Sequence, residues 1–356
     1  MEQKSTKVDW LDRTKAILIL LVVLGHVAGM AMHQAIGLER IVWFNVYRFI
    51  YGFHMPAFFF LAGMTLHGMP LLEFVKKKSF RLLVPYFVFG FISIVLYYAM
   101  IGCFSVGQAT DAYYKEAGQP LIWQSLATLI YGAVFPGTDS GFRCNSVLWF
   151  LPAVFSTTLV GMSLLRGLSR LKNGVLYEIM VIPLFLLGYV AIRRSGCPNL
   201  PYGFLEVFKY LPFIFAGHLL GNVRTSGSPL SRCSAGCLML FLLAYVIGYA
   251  YVPFHNDLTC SFVKWLIFSG AALLATLGTI GLARLVALPL LGKIGAVSIG
   301  IMLVHKWFIL ALNRVGCKKG LVVFVLASAL SFALTLAIRH WAPWALGERR
   351  AKLTRK

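Results

Sequence analysis

The sequence predicts an all-α polytopic membrane protein with about ten transmembrane helices and both termini in the cytosol. Of its 356 residues, 59% are hydrophobic and only 13% are charged, whereas soluble domains are nearer to half apolar and a quarter charged. The apolar residues form continuous runs of about twenty, the length that crosses roughly 30 Å of hydrocarbon. Continuous runs argue against a transmembrane β-barrel, whose strands alternate. We expect a single transmembrane domain over residues 1–356.

Apolar windows and helix breakers divide the chain into ten predicted spans. The first is interpreted as an uncleaved span, because its apolar run is long enough to cross the membrane and lacks a convincing signal-cleavage site. The spans run roughly over residues 14–34, 42–67, 82–102, 147–165, 175–192, 204–222, 235–253, 262–283, 294–313 and 321–341.

The charge distribution supports a cytosolic location of both termini. The formal net charge is +21, and of 33 Lys and Arg residues, 20 fall in segments predicted to be cytosolic and 9 in outer segments. Such a bias is typical of cytosolic loops. Because the cations are scattered among short loops, we expect anionic membrane lipids and not nucleic acid as partners.

Three predicted spans place a histidine near the membrane midplane. His26 lies about twelve residues into the first span, or about 18 Å from the cytosolic side at 1.5 Å per residue. His54 lies about twelve residues into the second span from outside, and His305 about eleven residues into the ninth from inside. Ionisable groups at this depth are costly and indicate function. Each alone is also compatible with a hydrogen-bonded packing residue, whereas three at one depth favour acid–base or nucleophilic chemistry.

The stretch "KAILILLVVLGH" joins one of these histidines to a cation. Lys15 and His26 are eleven residues apart, which places them on one helix face about 16 Å apart along the axis. A cation at the cytosolic rim and an imidazole at mid-depth suit a ligand with a phosphate head and a long reactive arm, as in acyl-coenzyme A. The alternative is that Lys15 is only a snorkelling anchor.

Two further stretches indicate a phosphate-binding site and a cavity within the membrane. In "KKKSFRLLVPY", Lys78 and Arg81 are three residues apart and share a helical face, which suits phosphate binding, although topology-determining charges would look the same. In "YGFHMPAFFFLAGM", Pro56 breaks a helix inside a predicted span. Irregular backbone at this depth must be buried in protein or line a cavity, so we expect a kinked, cavity-lining element beside His54.

Together these stretches resemble the membrane acyltransferase 3 family, especially its fucose 4-O-acetylase-like branch. "VDWLDRTKAILILLVVLGHV" resembles the family's first-span motif, a basic residue followed after ten residues by histidine, matched here by Lys15 and His26. "FHMPAFFFLAGM" resembles the second-span motif, and Lys78 and Arg81 match a cytosolic basic-x-x-basic pattern. "LWFLPAVF" and "LGKIGAVSIGIMLVH", which ends at His305, resemble later motifs.

The chain departs from the family pattern at three positions. Lysine stands at residue 15, where arginine is common. Ala62 occupies a usual serine position, and Met302 stands where tyrosine is frequent, which weakens any role for a hydroxyl there.

The resemblance implies an enzyme that transfers an acetyl or other acyl group from cytosolic acetyl-CoA to a hydroxyl of an extracytoplasmic glycan, such as an exopolysaccharide, an O-antigen or a lipid-linked precursor. It also implies the bacterial inner membrane. His26 would act as general base or carry the acyl group, while the other two histidines would orient it, donate to the oxyanion or line the acceptor path. The implied residues are His26, His54 and His305 for catalysis and Arg13, Lys15, Lys78 and Arg81 for the donor phosphates. We expect no metal, because the close pair Cys233 and Cys237 lacks a second pair.

Two other classes remain open from the sequence. A proton-coupled transporter could use midplane histidines as a relay and helices broken at depth as its substrate site. Against it, we find no internal repeat and almost no midplane carboxylate apart from Glu206. A subunit of a glycan-export complex is the third class, for which the sequence offers no positive sign.

Overall fold

The computed structural model describes residues 6–66, 68–103, 122–134, 144–194, 202–223, 243 and 262–349, and over these residues it is all-helical. Tighter 3-10 turns occur at Ser146–Trp149 and Pro343–Leu346, and a wider π turn at Ser79–Leu83. The α-helices are α1 (Thr6–Gln34), α2 (Gly37–Tyr51), α3 (His54–Met64), α4 (Leu71–Lys78), α5 (Val84–Cys103), α6 (Ile122–Val134), α7 (Phe150–Leu168), α8 (Gly174–Arg194), α9 (Tyr202–Val223), α10 (Phe262–Leu285), α11 (Pro289–Ala296), α12 (Ser298–Arg314) and α13 (Gly320–Trp341).

The predicted all-helical class and membrane character are confirmed. Within the described residues, six helical segments are long and apolar enough to cross a membrane, and the pair α11 and α12 makes a seventh if it counts as one span. Helices occupy nine of the ten predicted spans. The remaining one, 235–253, lies outside the described residues except for residue 243. The count of ten, the single domain and the cytosolic termini stay predictions.

The second predicted span is broken where the sequence indicated irregular backbone. Helix α2 ends at Tyr51 and α3 begins at His54, and Phe53 between them has φ −145° and ψ −20°. Pro56 lies in the first turn of α3, where its missing N–H interrupts no helical hydrogen bond. The break therefore precedes the proline, and it makes His54 the first residue of a helix.

Helix α1 is the centre of the bundle. Its apolar residues Leu18, Ile19, Val22 and Val23 are buried, and it packs against α2, α3, α10, α11, α12 and α13. Helices α11 and α12 meet at an angle of 81° around Val297. Because of this bend, both α11 and α12 pack against α1, although they run in different directions.

Two glycines allow α3 and α9 to pack backbone against backbone. A Cβ on Gly217 would lie 2.0 Å from the Phe60 carbonyl oxygen, and a Cβ on Gly63 would lie 2.1 Å from that of Ile214. Neither position leaves room for a methyl group. The pair therefore fixes the element that carries His54 to a neighbouring long helix, as small residues do in membrane bundles.

Candidate active site

The three predicted catalytic histidines lie together with one tyrosine. The ring centroids of His26 (α1) and His305 (α12) are 5.2 Å apart. The Tyr51 hydroxyl lies 3.2 Å from His26 Nδ1, and the Tyr51 ring is 4.8 Å from that of His54, centroid to centroid. Residues distant in the sequence thus form one cluster around the break between α2 and α3.

The three histidines differ in accessibility. His54 is 1% exposed and His305 is fully buried, whereas His26 keeps part of its surface exposed. Of the three, only His26 therefore offers any surface to a reactant, while His54 and His305 are enclosed in the core.

Hydrogen bonds set the proton positions of the two buried rings. His54 Nδ1 lies 2.7 Å from the Ile50 carbonyl oxygen and His305 Nδ1 lies 3.1 Å from that of Ile301. A carbonyl oxygen can only accept, so each Nδ1 carries a hydrogen and each neutral ring has its lone pair on Nε2. The Nε2 atom of His305 is buried and has no hydrogen-bond partner in the described chain.

Tyr51 is a site residue that the sequence reasoning missed. Its ring packs on Tyr47 with centroids 4.1 Å apart, and the two hydroxyls are hydrogen bonded. A Cβ on Gly25 would lie 3.2 Å from the Tyr51 ring, and one on Gly29 would lie 3.2 Å from the Tyr47 ring. Two glycines and two tyrosines, each pair spaced by four, place these rings against α1 beside His26. This shared spacing of four residues could have predicted the contact between Tyr51 and α1 from the sequence.

A buried polar network adjoins the cluster through α12. Asn145 is fully buried, and its amide donates to the Leu303 carbonyl oxygen at 2.9 Å and to Ser93 Oγ at 3.1 Å. The indole N–H of Trp307 donates to the same Ser93 oxygen at 2.9 Å. These bonds hold the start of the 3-10 turn Ser146–Trp149 against α12.

The residue after Asn145 contacts a second residue that the sequence reasoning left without a role. The Lys306 ammonium donates a hydrogen bond to Ser146 Oγ. Lys306 directly follows His305, whose ring centroid lies 5.2 Å from that of His26. The sequence signal was a lysine within a predicted span next to a midplane histidine, where a charge indicates function by default.

The predicted donor-binding cations lie in two different environments. Arg13 donates to the Val286 carbonyl oxygen at 3.5 Å, and Lys15 forms an ion pair of 2.9 Å with Asp12. Lys78 instead lies 5.6 Å from the centre of the Phe74 ring, and Arg81 is exposed on the π turn. These contacts do not join the two pairs into one cluster. Lys15 and His26 do lie on one unbroken helix.

A family comparison decides the class of protein that carries this site. The family model described as an acyltransferase domain, Acyl_transf_3, matches residues 8–340. The chain belongs to the membrane acyltransferase 3 family. No curated protein and no solved structure matched the chain.

The geometry provides this acyltransferase with the groups that acyl transfer needs. His26 is an accessible imidazole held at Nδ1 by a tyrosine, which leaves Nε2 to act as base or nucleophile when Nδ1 carries the hydrogen. The cation Lys306 follows His305 on α12 and donates to Ser146. Apolar helices surround these groups and strengthen their electrostatic interactions by excluding water.

Proposed function

We propose that this acyltransferase transfers an acetyl group from cytosolic acetyl-CoA to a hydroxyl of a cell-surface or lipid-linked glycan outside the bacterial inner membrane, as in the fucose 4-O-acetylase-like branch. The observation that carries the proposal is the position of His26. It is accessible, it lies beside His305, and it stands about 16 Å along a continuous helix from the cation at residue 15. A coenzyme A arm has the shape to span that distance.

The chemistry requires a base because a sugar hydroxyl is a poor nucleophile. Neutral His26 that donates its Nδ1 hydrogen to Tyr51 presents the Nε2 lone pair to the acceptor. The hydroxyl proton passes to Nε2 while the oxygen bonds to the thioester carbonyl carbon. The C–S bond then breaks, and the proton on His26 passes to the departing sulfur.

A second route starts from the same arrangement. His26 Nε2 attacks the thioester carbonyl carbon, the C–S bond breaks, and the thiolate leaves. The acceptor oxygen then attacks the acyl carbon, the C–N bond breaks to restore neutral His26, and the hydroxyl proton passes to the thiolate. Both routes need the hydrogen at Nδ1 and the hydrogen bond to Tyr51, so the geometry supports either one.

The donor phosphates are proposed to bind the cytosolic cations Arg13, Lys15, Lys78 and Arg81. Asp12 holds the Lys15 side chain, so its ammonium is already placed when the donor arrives. Arginine and lysine side chains in such groups bind phosphate through charge-assisted hydrogen bonds. Binding of the donor should weaken as salt rises, because exposed charges are screened.

A proton-coupled transporter also has a structural basis, since two of the predicted spans are broken or bent. Membership of an acyltransferase family favours the enzyme. A change in glycan acylation with export intact distinguishes the enzyme from both alternatives.

The test compares surface glycans by NMR from cells with the gene, cells without it, and deletion cells complemented with His26→Ala. We expect an acetyl resonance only where the wild-type gene is present. The matched control is His33→Ala, which removes an exposed histidine from the last turn of the same helix and should restore the resonance.

Two results would contradict the proposal. Full acetylation in cells that produce normal amounts of the His26→Ala protein would remove the assigned role of His26. Loss of glycan export with unchanged acetylation would favour an export subunit or a transporter. The position of the lost acetyl group would identify the acceptor hydroxyl.

A further inference from the structure

Lys306 and Ser146 form a polar pair beside the histidine cluster. The Lys306 ammonium donates to Ser146 Oγ, and Lys306 directly follows His305, whose ring centroid lies 5.2 Å from that of His26. Both members of the pair keep part of their surface exposed, as His26 does. A reactant in contact with His26 therefore meets a cation and a hydroxyl in the same region.

Acyl transfer from a thioester needs such donors because negative charge develops on the carbonyl oxygen. Enzymes stabilise it with donors placed in advance. Neutral His54 and His305 cannot supply one, since their single N–H groups donate to Ile50 and Ile301. A second proton on either ring would add a charge to an apolar core that already holds the Lys306 cation, which is costly.

The other donors around the cluster are also engaged. The Tyr51 hydroxyl lies between His26 Nδ1 and the Tyr47 hydroxyl. The amide of Asn145 makes two hydrogen bonds and the indole N–H of Trp307 makes one. Each of these groups would have to give up an existing bond to reach a substrate oxygen.

We propose that Lys306, together with Ser146, stabilises the oxyanion of the acyl-transfer step; this inference rests on the proposed function. As the acceptor oxygen bonds to the carbonyl carbon, its proton passes to His26 and the C=O π electrons become a lone pair on the oxygen that faces Lys306. The ammonium keeps its full positive charge while it donates to Ser146, so Lys306 stabilises the oxyanion by charge as well as by hydrogen bonding. When the C–S bond breaks, the lone pair re-forms the C=O bond and the thiolate takes the proton from His26.

The buried network around Asn145 gives this pair a fixed position. Asn145 bonds to the Leu303 carbonyl oxygen and to Ser93, and it directly precedes Ser146. Leu303 lies one helical turn before Lys306 and Trp307. The two members of the pair are therefore held from both sides, and donors fixed in this way need no reorganisation during the reaction.

The experiment uses the full-length protein in nanodiscs, isotopically labelled acetyl-CoA, and the glycan fraction of cells that lack the gene as acceptor. Lys306→Met should lower kcat by about 100-fold or more and leave the KM for acetyl-CoA nearly unchanged. Lys306→Arg, which keeps the charge, should recover part of the loss. Ser146→Ala should lower kcat by about tenfold. The matched control Lys264→Met removes an exposed lysine of α10 and should behave as wild type.

The results of these assays distinguish failure of the inference about Lys306 from failure of the proposed function. Wild-type kcat in Lys306→Met would overturn the inference while the proposed function stands. It is also overturned if the arginine variant, produced and folded as well as wild type, is as slow as the methionine variant, because a charge would then not matter. A wild-type protein that transfers no label to the glycan overturns the proposed function, and the inference falls with it.

Discussion

The Tyr51 hydroxyl lies 3.2 Å from Nδ1 of His26, and this bond joins the accessible histidine to the end of a broken helix. Tyr51 is the last residue of α2, and His54 begins α3 two residues later. The break therefore allows one short segment to contact the ring of His26 and to contribute a second histidine behind it.

Tyr51→Phe should slow acyl transfer without weakening donor binding. The variant keeps the ring that packs against Gly25 but leaves the Nδ1 hydrogen of His26 without its acceptor. Loss of one such bond, about 1 kcal/mol, predicts a fall in kcat of about fivefold to tenfold with an unchanged KM for acetyl-CoA. Tyr177→Phe, at a tyrosine 41% exposed, is the control. An equal effect in both variants would count against the assignment.

Lys15→Ala should raise the acetyl-CoA requirement more than it alters acceptor preference. The substitution removes a cation and leaves the Asp12 carboxylate without its partner, so an anionic donor meets net repulsion. We expect the donor KM to rise by about tenfold at low salt, and by less at high salt because of screening. Lys172→Ala, at an exposed lysine, should leave the donor KM unchanged. The same donor KM in Lys15→Ala and wild type would remove Lys15 from the donor site.

Gly217→Ala should destabilise the protein. The added methyl would lie 2.0 Å from the Phe60 carbonyl oxygen, so α3 and α9 must separate, at a cost of about 1–3 kcal/mol or more. Thermal unfolding in detergent should show a lower Tm. Gly270→Ala is matched to it, since a Cβ there meets no atom within 4 Å. It should be neutral or slightly stabilising. A Tm near wild type for Gly217→Ala would show that α9 does not contact α3 this closely.

Asn145→Ala should reduce activity beyond its effect on stability. It removes hydrogen bonds to the Leu303 carbonyl oxygen and to Ser93, which predicts a loss of about 1–3 kcal/mol and a looser Ser146. The control is Gln34→Ala, which breaks a side-chain hydrogen bond of 2.9 Å to Asn313 outside the histidine cluster. If both variants lost stability and kcat in the same proportion, Asn145 would have only a structural role.

The depth of a residue within its span could be predicted from the sequence, whereas the residues that contact it from other spans could not. Apolar run length placed His26, His54 and His305 at similar depth, and the structure brings them together. The hydrogen bond between Tyr51 and His26 and the pair of Lys306 with Ser146 depend on which helices are neighbours and how each helix is rotated. Hydropathy contains no information on either quantity, because lipid and protein neighbours are equally apolar.

Contacts between residues of the same helix can be predicted from their spacing, and one such contact was not predicted. Asp12 and Lys15 are three residues apart on α1 and form an ion pair, as that spacing favours. The ninth predicted span, 294–313, begins within the separate helix α11, which is set at 81° to α12. A hydropathy profile does not reveal such a bend because both helices are apolar.

The complete burial of His305 bears on how much acyl donor the proposed reaction would lose to hydrolysis. In the proposed reaction, a base next to the thioester would also activate water, and each water that reacted would consume a molecule of donor without forming product. Core packing that leaves only one imidazole open to the reactants restricts where water can be activated. Under the proposed function, the packing around α1 and α12 would therefore determine, as much as the basicity of His26, how much donor is converted to product.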